Sequence, residues 1–145
     1  MKSCLKTLTP VLVSLFFVTA GTPWLNAQIT NAIQAHVDHS FVIGDKTLPP
    51  GEYTFRMMGD SNLTVMTTTS ENDKTTADFT VRATIDKHRP DHSELVFRKY
   101  GDTEFLSKVF EVGSKTGVEV TENRKQEARL AKQGQNVMEH TEEQK

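Results

Sequence analysis

Cysteine and tryptophan are almost absent from this sequence of 145 residues, since it contains one of each, Cys4 and Trp24. Both lie near the N-terminus, ahead of residue 28. If that segment is removed during export, the remaining chain has no thiol. It then forms no disulfide and offers no cysteine nucleophile or thiolate metal ligand, so its stability must come from an apolar core.

The N-terminus has the pattern of a secretory signal peptide. Lys2 and Lys6 precede an apolar run, and small residues follow it without an acidic residue. Prolines and a glycine interrupt the run well short of the roughly 20 residues that a membrane-spanning helix needs. We therefore predict a signal peptide over residues 1–27 with cleavage after Ala27, or alternatively after Ala20, and a periplasmic or secreted protein with no stable membrane span.

The charge balance excludes some classes of partner. Removing the two lysines of the predicted signal peptide from a net charge of −2 leaves −4. No basic stripe is present for a phosphate backbone, so nucleic acid is not an expected partner. The sequence also lacks Gly-x-Ser-x-Gly, His-Glu-x-x-His and a phosphate-binding glycine loop. These absences favour a non-catalytic protein without a cofactor.

Apolar residues alternate with polar ones in several short segments, as expected of half-buried strands. Residues 35–43 and 77–85 show this most clearly, and β-branched residues mark another strand at 63–69. About seven such segments, separated by turn residues, predict a β-domain over residues 28–121. The fold class is mainly β, either an antiparallel β-sandwich or a small β-barrel, and the pattern leaves that choice open.

The C-terminal part changes in character, because residues 124–133 consist of helix formers without a β-branched residue. Asn123 and Gln126 have the spacing of an N-cap and its reciprocal partner, and Gly134 is a typical stop. These features predict a C-terminal α-helix over 122–134. The polar residues 135–145 are predicted to be a disordered tail.

A β-hairpin is predicted at Gly101-Asp102, a preferred two-residue connection. Counting outward gives the expected cross-strand pairs: Tyr100 with Thr103, Lys99 with Glu104, Arg98 with Phe105, Phe97 with Leu106 and Val96 with Ser107. A second structural turn is predicted at Pro50-Gly51, with Gly51 at positive φ. Both faces of the hairpin carry apolar residues, which indicates that the hairpin is central in the fold or that another element, with the C-terminal helix as a candidate, covers its second face.

These elements also carry a resemblance. Leu48-Pro49-Pro50-Gly51-Glu52-Tyr53, followed by the Leu-Val-Phe-x-x-Tyr-Gly-Asp-x-x-Phe-Leu-Ser-x-Val segment that begins at Leu95, resembles a family of short, uncharacterised, signal-bearing proteins found mainly in Acidobacteria. The chain departs from the usual pattern at Pro50, where alanine is common. The resemblance implies export and a compact fold, and it transfers no catalytic or binding residue.

Histidines occur in two local sets with carboxylates, a combination that can bind zinc or copper. His88, Asp91 and His92 lie in a predicted loop that could surround an ion, with a solvated loop as the alternative. In the other set, His36-x-Asp38-His39, a regular strand would place His39 on the opposite face from His36 and Asp38. That set is therefore not expected to converge on an ion unless the strand is bulged.

Two functions fit these expectations. The first is an exported, non-catalytic β-domain that binds another envelope protein or a surface polymer through strand edges or loops. The alternative is a carrier of a small apolar ligand, in which aromatic residues line a cavity instead of filling the core. A retained lipid-sized mass in native mass spectrometry would favour the carrier, and a bare mass would count against it. The aromatic residues concerned are Tyr53, Phe55, Phe79, Phe97, Phe105 and Phe110.

Overall fold

The computed structural model describes residues 32–58 and 65–144. The predicted signal peptide and both cleavage positions lie outside these ranges. Ten strands and one helix occur in the described part: β1 (Ile33–Val37), β2 (Phe41–Ile43), β3 (Lys46–Leu48), β4 (Gly51–Met57), β5 (Val65–Ser70), β6 (Thr76–Ile85), β7 (Ser93–Tyr100), β8 (Thr103–Phe110), β9 (Thr116–Val120), α1 (Arg124–Lys132) and β10 (Val137–Gln144).

The strands form one open and mostly antiparallel sheet, in the order β1-β4-β5-β6-β9-β8-β2-β3, with β7 pairing β8 and β10. The long strand β6 joins the two halves, because Thr76–Thr80 pairs with β5 and Val81–Ile85 pairs with β9. The sheet folds over a shared core without closing into a barrel. The mainly β prediction is confirmed, and the arrangement is consistent with a β-sandwich.

The core is one apolar cluster to which strands of both halves contribute. Ile33, Tyr53, Phe79 and Phe97 belong to this cluster and are at most 3% exposed. A smaller cluster of Val42, Tyr100 and Phe105 lies on the other face of the hairpin, with Leu130 of α1 packed against it. Burial of this apolar surface is the main stabilising contribution in a chain without a disulfide.

The count of about seven strands was too low, in part because the predicted strand over residues 35–43 is divided. β1 buries alternate residues as expected, but the chain leaves the sheet at Asp38 and enters β2 at Phe41. The interruption turns His39 out of the regular alternation. The short strand β3, which pairs with β2, was also not predicted.

The hairpin prediction is confirmed near its turn. Gly101 has a φ of +59°, and Lys99 pairs with Glu104 as expected. A β-bulge lies between Val96 and Phe97, so Val96 pairs with Lys108 and the predicted partner Ser107 is wrong. The extra residue in β8 shifts the register beyond that point.

Gly51 does not form the predicted structural turn. It is the first residue of β4 and is not among the glycines with positive φ. The Tyr53 hydroxyl donates a hydrogen bond to the carbonyl oxygen of Pro49, which fixes the entry to the strand. A Cβ at Gly51 would lie 2.9 Å from Asn72 Nδ2, but this atom is the end of an exposed side chain that can move away, so a larger residue is expected to fit there at little cost.

The C-terminal helix is present, although shorter than predicted. It ends before Gly134, whose φ of +79° fits the expected stop. Asn123 is the N-cap residue but makes no capping hydrogen bond with its side chain. Glu127 of the helix accepts hydrogen bonds from Arg98 Nη1 and the Tyr100 hydroxyl, both at 3.3 Å. The helix therefore does cover the second face of the hairpin.

The predicted disordered tail is wrong for residues 137–144, which form β10 along the whole of β7. Composition gave no sign of this strand, because its burial pattern leaves only Gln144 buried. Its position depends on partners that are distant in sequence. Glu139 pairs with Arg98 at 3.2 Å, and Gln144 Oε1 accepts a hydrogen bond from the backbone of His36 at 2.8 Å.

Candidate metal centre

His39 lies in the short connection between β1 and β2, and its position follows from the break in the strand. Its ring packs edge-on against Phe97, with the ring centroids 4.8 Å apart. The side chain is 21% exposed. Packing against a buried aromatic ring restricts the rotation of the imidazole, so its nitrogens are held in defined directions.

Strand β10 brings two further polar groups to the same place. His140 and Glu142 are two residues apart and therefore project from one face of the strand. His140 is opposite Phe97 in the β10–β7 ladder, and the two rings stack with centroids 5.6 Å apart. The rings of both histidines therefore pack against the apolar ring of Phe97.

Glu104 of β8 supplies a second carboxylate. Its Oε1 accepts a hydrogen bond from Lys99 Nζ at 2.8 Å, in the predicted cross-strand pair. Its Oε2 lies 2.8 Å from His39 Nε2 and 3.4 Å from His140 Nε2. The hairpin therefore positions Glu104 between its lysine and the two imidazoles.

The potential ligand atoms are close enough to share one ion. His39 Nδ1 lies 3.2 Å from Glu142 Oε1, and His140 Nε2 lies 3.9 Å from the same oxygen. His39, His140 and Glu142 each have one ligand atom within 4.8 Å of the others. Zinc bonds of about 2.0–2.2 Å place tetrahedral neighbours roughly 3.3–3.6 Å apart. Small side-chain movements would therefore bring these atoms to bonding distance.

The electrostatics of the cluster favour a positive charge. Burial raises the pKa of Glu142 above its ordinary value, Asp38 and Glu104 act in the same direction, and the two histidines oppose them. His39 Nε2 and Glu104 Oε2 are buried and have no hydrogen-bond partner, because their 2.8 Å approach lacks hydrogen-bond geometry. The Nε2 side of the ring therefore faces the buried carboxylate of Glu104, and Nδ1 is the nitrogen that faces Glu142.

Asp38 is at the rim of this cluster. Its Oδ1 lies 3.0 Å from His39 Nδ1, and the carboxylate side chain is 81% exposed. The hydrogen bond with His39 lowers the pKa of Asp38. His36 points elsewhere and pairs with Glu52 at 2.6 Å, so the first histidine set divides between two environments.

The predicted loop residues do not assemble into a comparable group within the described part of the chain. His88 Nδ1 lies 2.9 Å from Asp86 Oδ1, and His88 Nε2 lies 3.4 Å from Glu94 Oε1; the two carboxylates raise the pKa of His88. His92 lies in a separate surface groove beside Gln144. Asp91 is exposed and is not brought together with the two histidines.

The sequence contained one usable signal for the observed cluster. His140-x-Glu142 has the spacing that places two ligands on one face of a strand. Its polar surroundings gave no reason to expect a strand. His39 was excluded for the opposite reason, because an uninterrupted strand was assumed where the chain bends. The break between β1 and β2 and the ladder between β7 and β10 together bring these residues into one cluster.

The six aromatic residues proposed as a cavity lining lie in the core. Each is at most 2% exposed, and Tyr53 and Phe97 both contact the ring of Phe41 edge-on. The grooves on the described surface are open to solvent and include one between β1 and β7. Core packing accounts for the burial of these rings, and the carrier hypothesis stays a hypothesis.

Comparison with known proteins identifies no relative: no family model matches the chain, and no curated protein or solved structure is significantly similar to it. The resemblance to the acidobacterial family therefore remains a prediction. Over residues 32–58 and 65–144, no helix is long and apolar enough to cross a membrane.

Proposed function

We propose that this protein is an exported, non-catalytic β-domain that binds a divalent transition-metal ion through His39, His140 and Glu142. The observation that carries the proposal is the meeting of these three ligand groups above Phe97, with atoms within 4.8 Å of one another. His39 is about 100 residues away in sequence from His140 and Glu142. Their convergence is a product of the fold and not of local composition.

Zinc is the reference ion for this ligand set. Two imidazoles and one carboxylate are a zinc combination that leaves a fourth position for water or another oxygen ligand. Copper(II) binds such nitrogen and oxygen ligands more tightly than zinc. Calcium and magnesium prefer oxygen ligands alone, so a site with two imidazoles discriminates against both.

Glu104 has a different role from the three ligands in this proposal. Its Oε2 faces Nε2 of His39, while Nδ1 of the same ring faces Glu142. A carboxylate beside the second nitrogen of a ligating histidine orients the ring and increases its basicity. Removing such an outer partner weakens metal binding by about 10–100-fold.

Calorimetric titration tests the proposal. Zinc added to chelator-treated protein should bind with one ion per chain, and copper(II) should bind more tightly. His39→Gln and His140→Gln should each abolish the high-affinity heat, whereas Glu104→Gln should weaken it by about 10–100-fold. His36→Gln is the matched control, because this histidine is 64% exposed and lies outside the cluster.

Two results would overturn the assignment. Absence of heat with both ions would refute metal binding by the purified protein. Heat that survives in the His39 and His140 variants but disappears in His88→Gln or His92→Gln would move the site to the loop predicted from the sequence. Each variant must first show the circular dichroism spectrum of the parent protein.

Export and the absence of catalysis belong to the same proposal. The N-terminal pattern of residues 1–27 supports export, and the lack of a recognised catalytic motif supports a binding role. An envelope protein or surface polymer, bound at a strand edge or loop, remains the expectation from sequence for a further partner. The metal site is the part of the proposal that the described geometry supports most directly.

A further inference from the structure

Strand β10 is held to the body of the protein mainly by polar interactions. Neither apolar cluster of the core includes a residue of this strand. Its two large apolar side chains, Val137 and Met138, are 54% and 63% exposed. Backbone pairing with β7 and charged contacts must therefore keep it in place, and such an element is expected to open at lower free energy than the core.

The candidate ligands belong partly to this strand and partly to the rest of the fold. His140 and Glu142 belong to β10, whereas His39 lies between β1 and β2 and Glu104 lies in β8. An ion bound to all three ligands would therefore link β10 to a part of the chain about 100 residues away in sequence. Undocking of β10 would remove two of the three ligands.

We infer that the metal ion acts as a clasp, so that occupancy of the His39, His140 and Glu142 site controls docking of β10 on β7. This inference rests on the proposed function. An ion that binds the docked form alone multiplies the equilibrium constant for docking by 1 + [L]/Kd, where [L] is the concentration of the free ion. In the undocked form, the edge of β7 and the ring of Phe97 lose the cover that β10 provides.

The other contacts of β10 do not depend on the ion. Glu139 pairs with Arg98 and Lys108 on the opposite face of the strand. These pairs are partly exposed and contribute little individually. These ion pairs favour one register of β10 against β7 without the ion. The bound ion then stabilises that same register.

Amide hydrogen exchange, followed by mass spectrometry with and without zinc, tests the clasp. Without zinc, amides of Val137–Gln144 should exchange faster than those of Thr103–Phe110 in the central strand β8. Zinc at 100 times its Kd should slow exchange of the β10 amides by about 100-fold. Glu142→Gln should lose this response, while the matched variant Glu143→Gln, exposed on the other face, should keep it.

The outcomes separate the clasp from metal binding itself when calorimetry is performed on the same samples. Zinc that binds but leaves β10 exchange unchanged would overturn the clasp and preserve the proposed function. Equal exchange of β10 and β8 without zinc would also overturn it, because β10 would then not open separately. If Glu142→Gln fails to fold, His39→Gln removes a ligand without altering β10 and should likewise abolish the zinc response.

Discussion

At the scale of single residues, Asn123 lies at the predicted N-cap position, but its side chain does not cap the helix. It precedes the helix as predicted, but its side chain is fully buried. Oδ1 accepts a hydrogen bond from the backbone N–H of Gly44 at 2.6 Å, and Nδ2 donates one to the carbonyl of Leu106 at 2.7 Å. The amide thus joins the start of α1 to the β2–β3 turn and to β8.

Substitution of Asn123 distinguishes this bridge from an ordinary cap. Asn123→Ala should lower the free energy of unfolding by about 1–3 kcal/mol, because buried backbone groups lose their partners. Asn123→Asp should also destabilise, since a carboxylate cannot donate to Leu106 and its charge would be buried. Urea denaturation measures both. Full stability of the Asp variant would contradict the bridge, because Asp and Asn are equivalent as helix caps.

Gly101 is the residue on which the hairpin turn depends. At a φ of +59°, a β-branched side chain is strongly disfavoured. Gly101→Val should therefore lower the free energy of unfolding by at least about 1–2 kcal/mol. Gly101→Asn is the control, because asparagine tolerates this conformation, and it should lose much less. Thermal denaturation of the two variants checks this, and an unchanged melting temperature for the valine variant would refute it.

At the scale of elements, the strongest contrast is between the hairpin and β10. The hairpin was predictable because its turn and most of its cross-strand pairs are adjacent in sequence. The bulge between Val96 and Phe97 was not predictable, since no residue in it has a distinctive turn preference. β10 was missed because its pairing with β7 depends on contacts with Arg98 and His36, which are far away in sequence.

Removal of residues 135–145 should measurably destabilise the protein. The deletion leaves the β7 edge unpaired and removes Glu139 from Arg98, so the free energy of unfolding should fall by more than about 1 kcal/mol even without metal. Met138→Thr is the control on the same strand, because Met138 is 63% exposed, and it should have little effect. Urea denaturation in the presence of a chelator measures both. Equal midpoints for the truncated and complete proteins would mean that β10 contributes nothing.

At the scale of the whole molecule, the predicted export determines which residue is the N-terminus of the protein outside the cell. The protein recovered from an exporting host should begin at Gln28, as judged by N-terminal sequencing and intact mass. Ala27→Leu should prevent cleavage there, because the residue before the cleaved bond must be small. A product that begins at Gly21 would support the alternative site after Ala20, and an unprocessed product would contradict the signal peptide.

The sequence by itself determined the mainly β class, the position of the helix and the hairpin register near Gly101. These features follow from period-two alternation and turn chemistry, which act over a few residues. The tertiary structure decided the break after β1 that places His39 against Phe97, the docking of β10 and the cover of the hairpin by α1. These depend on residues far apart in sequence. His39, Glu104, His140 and Glu142 become one candidate site only because the sheet brings three distant segments over Phe97.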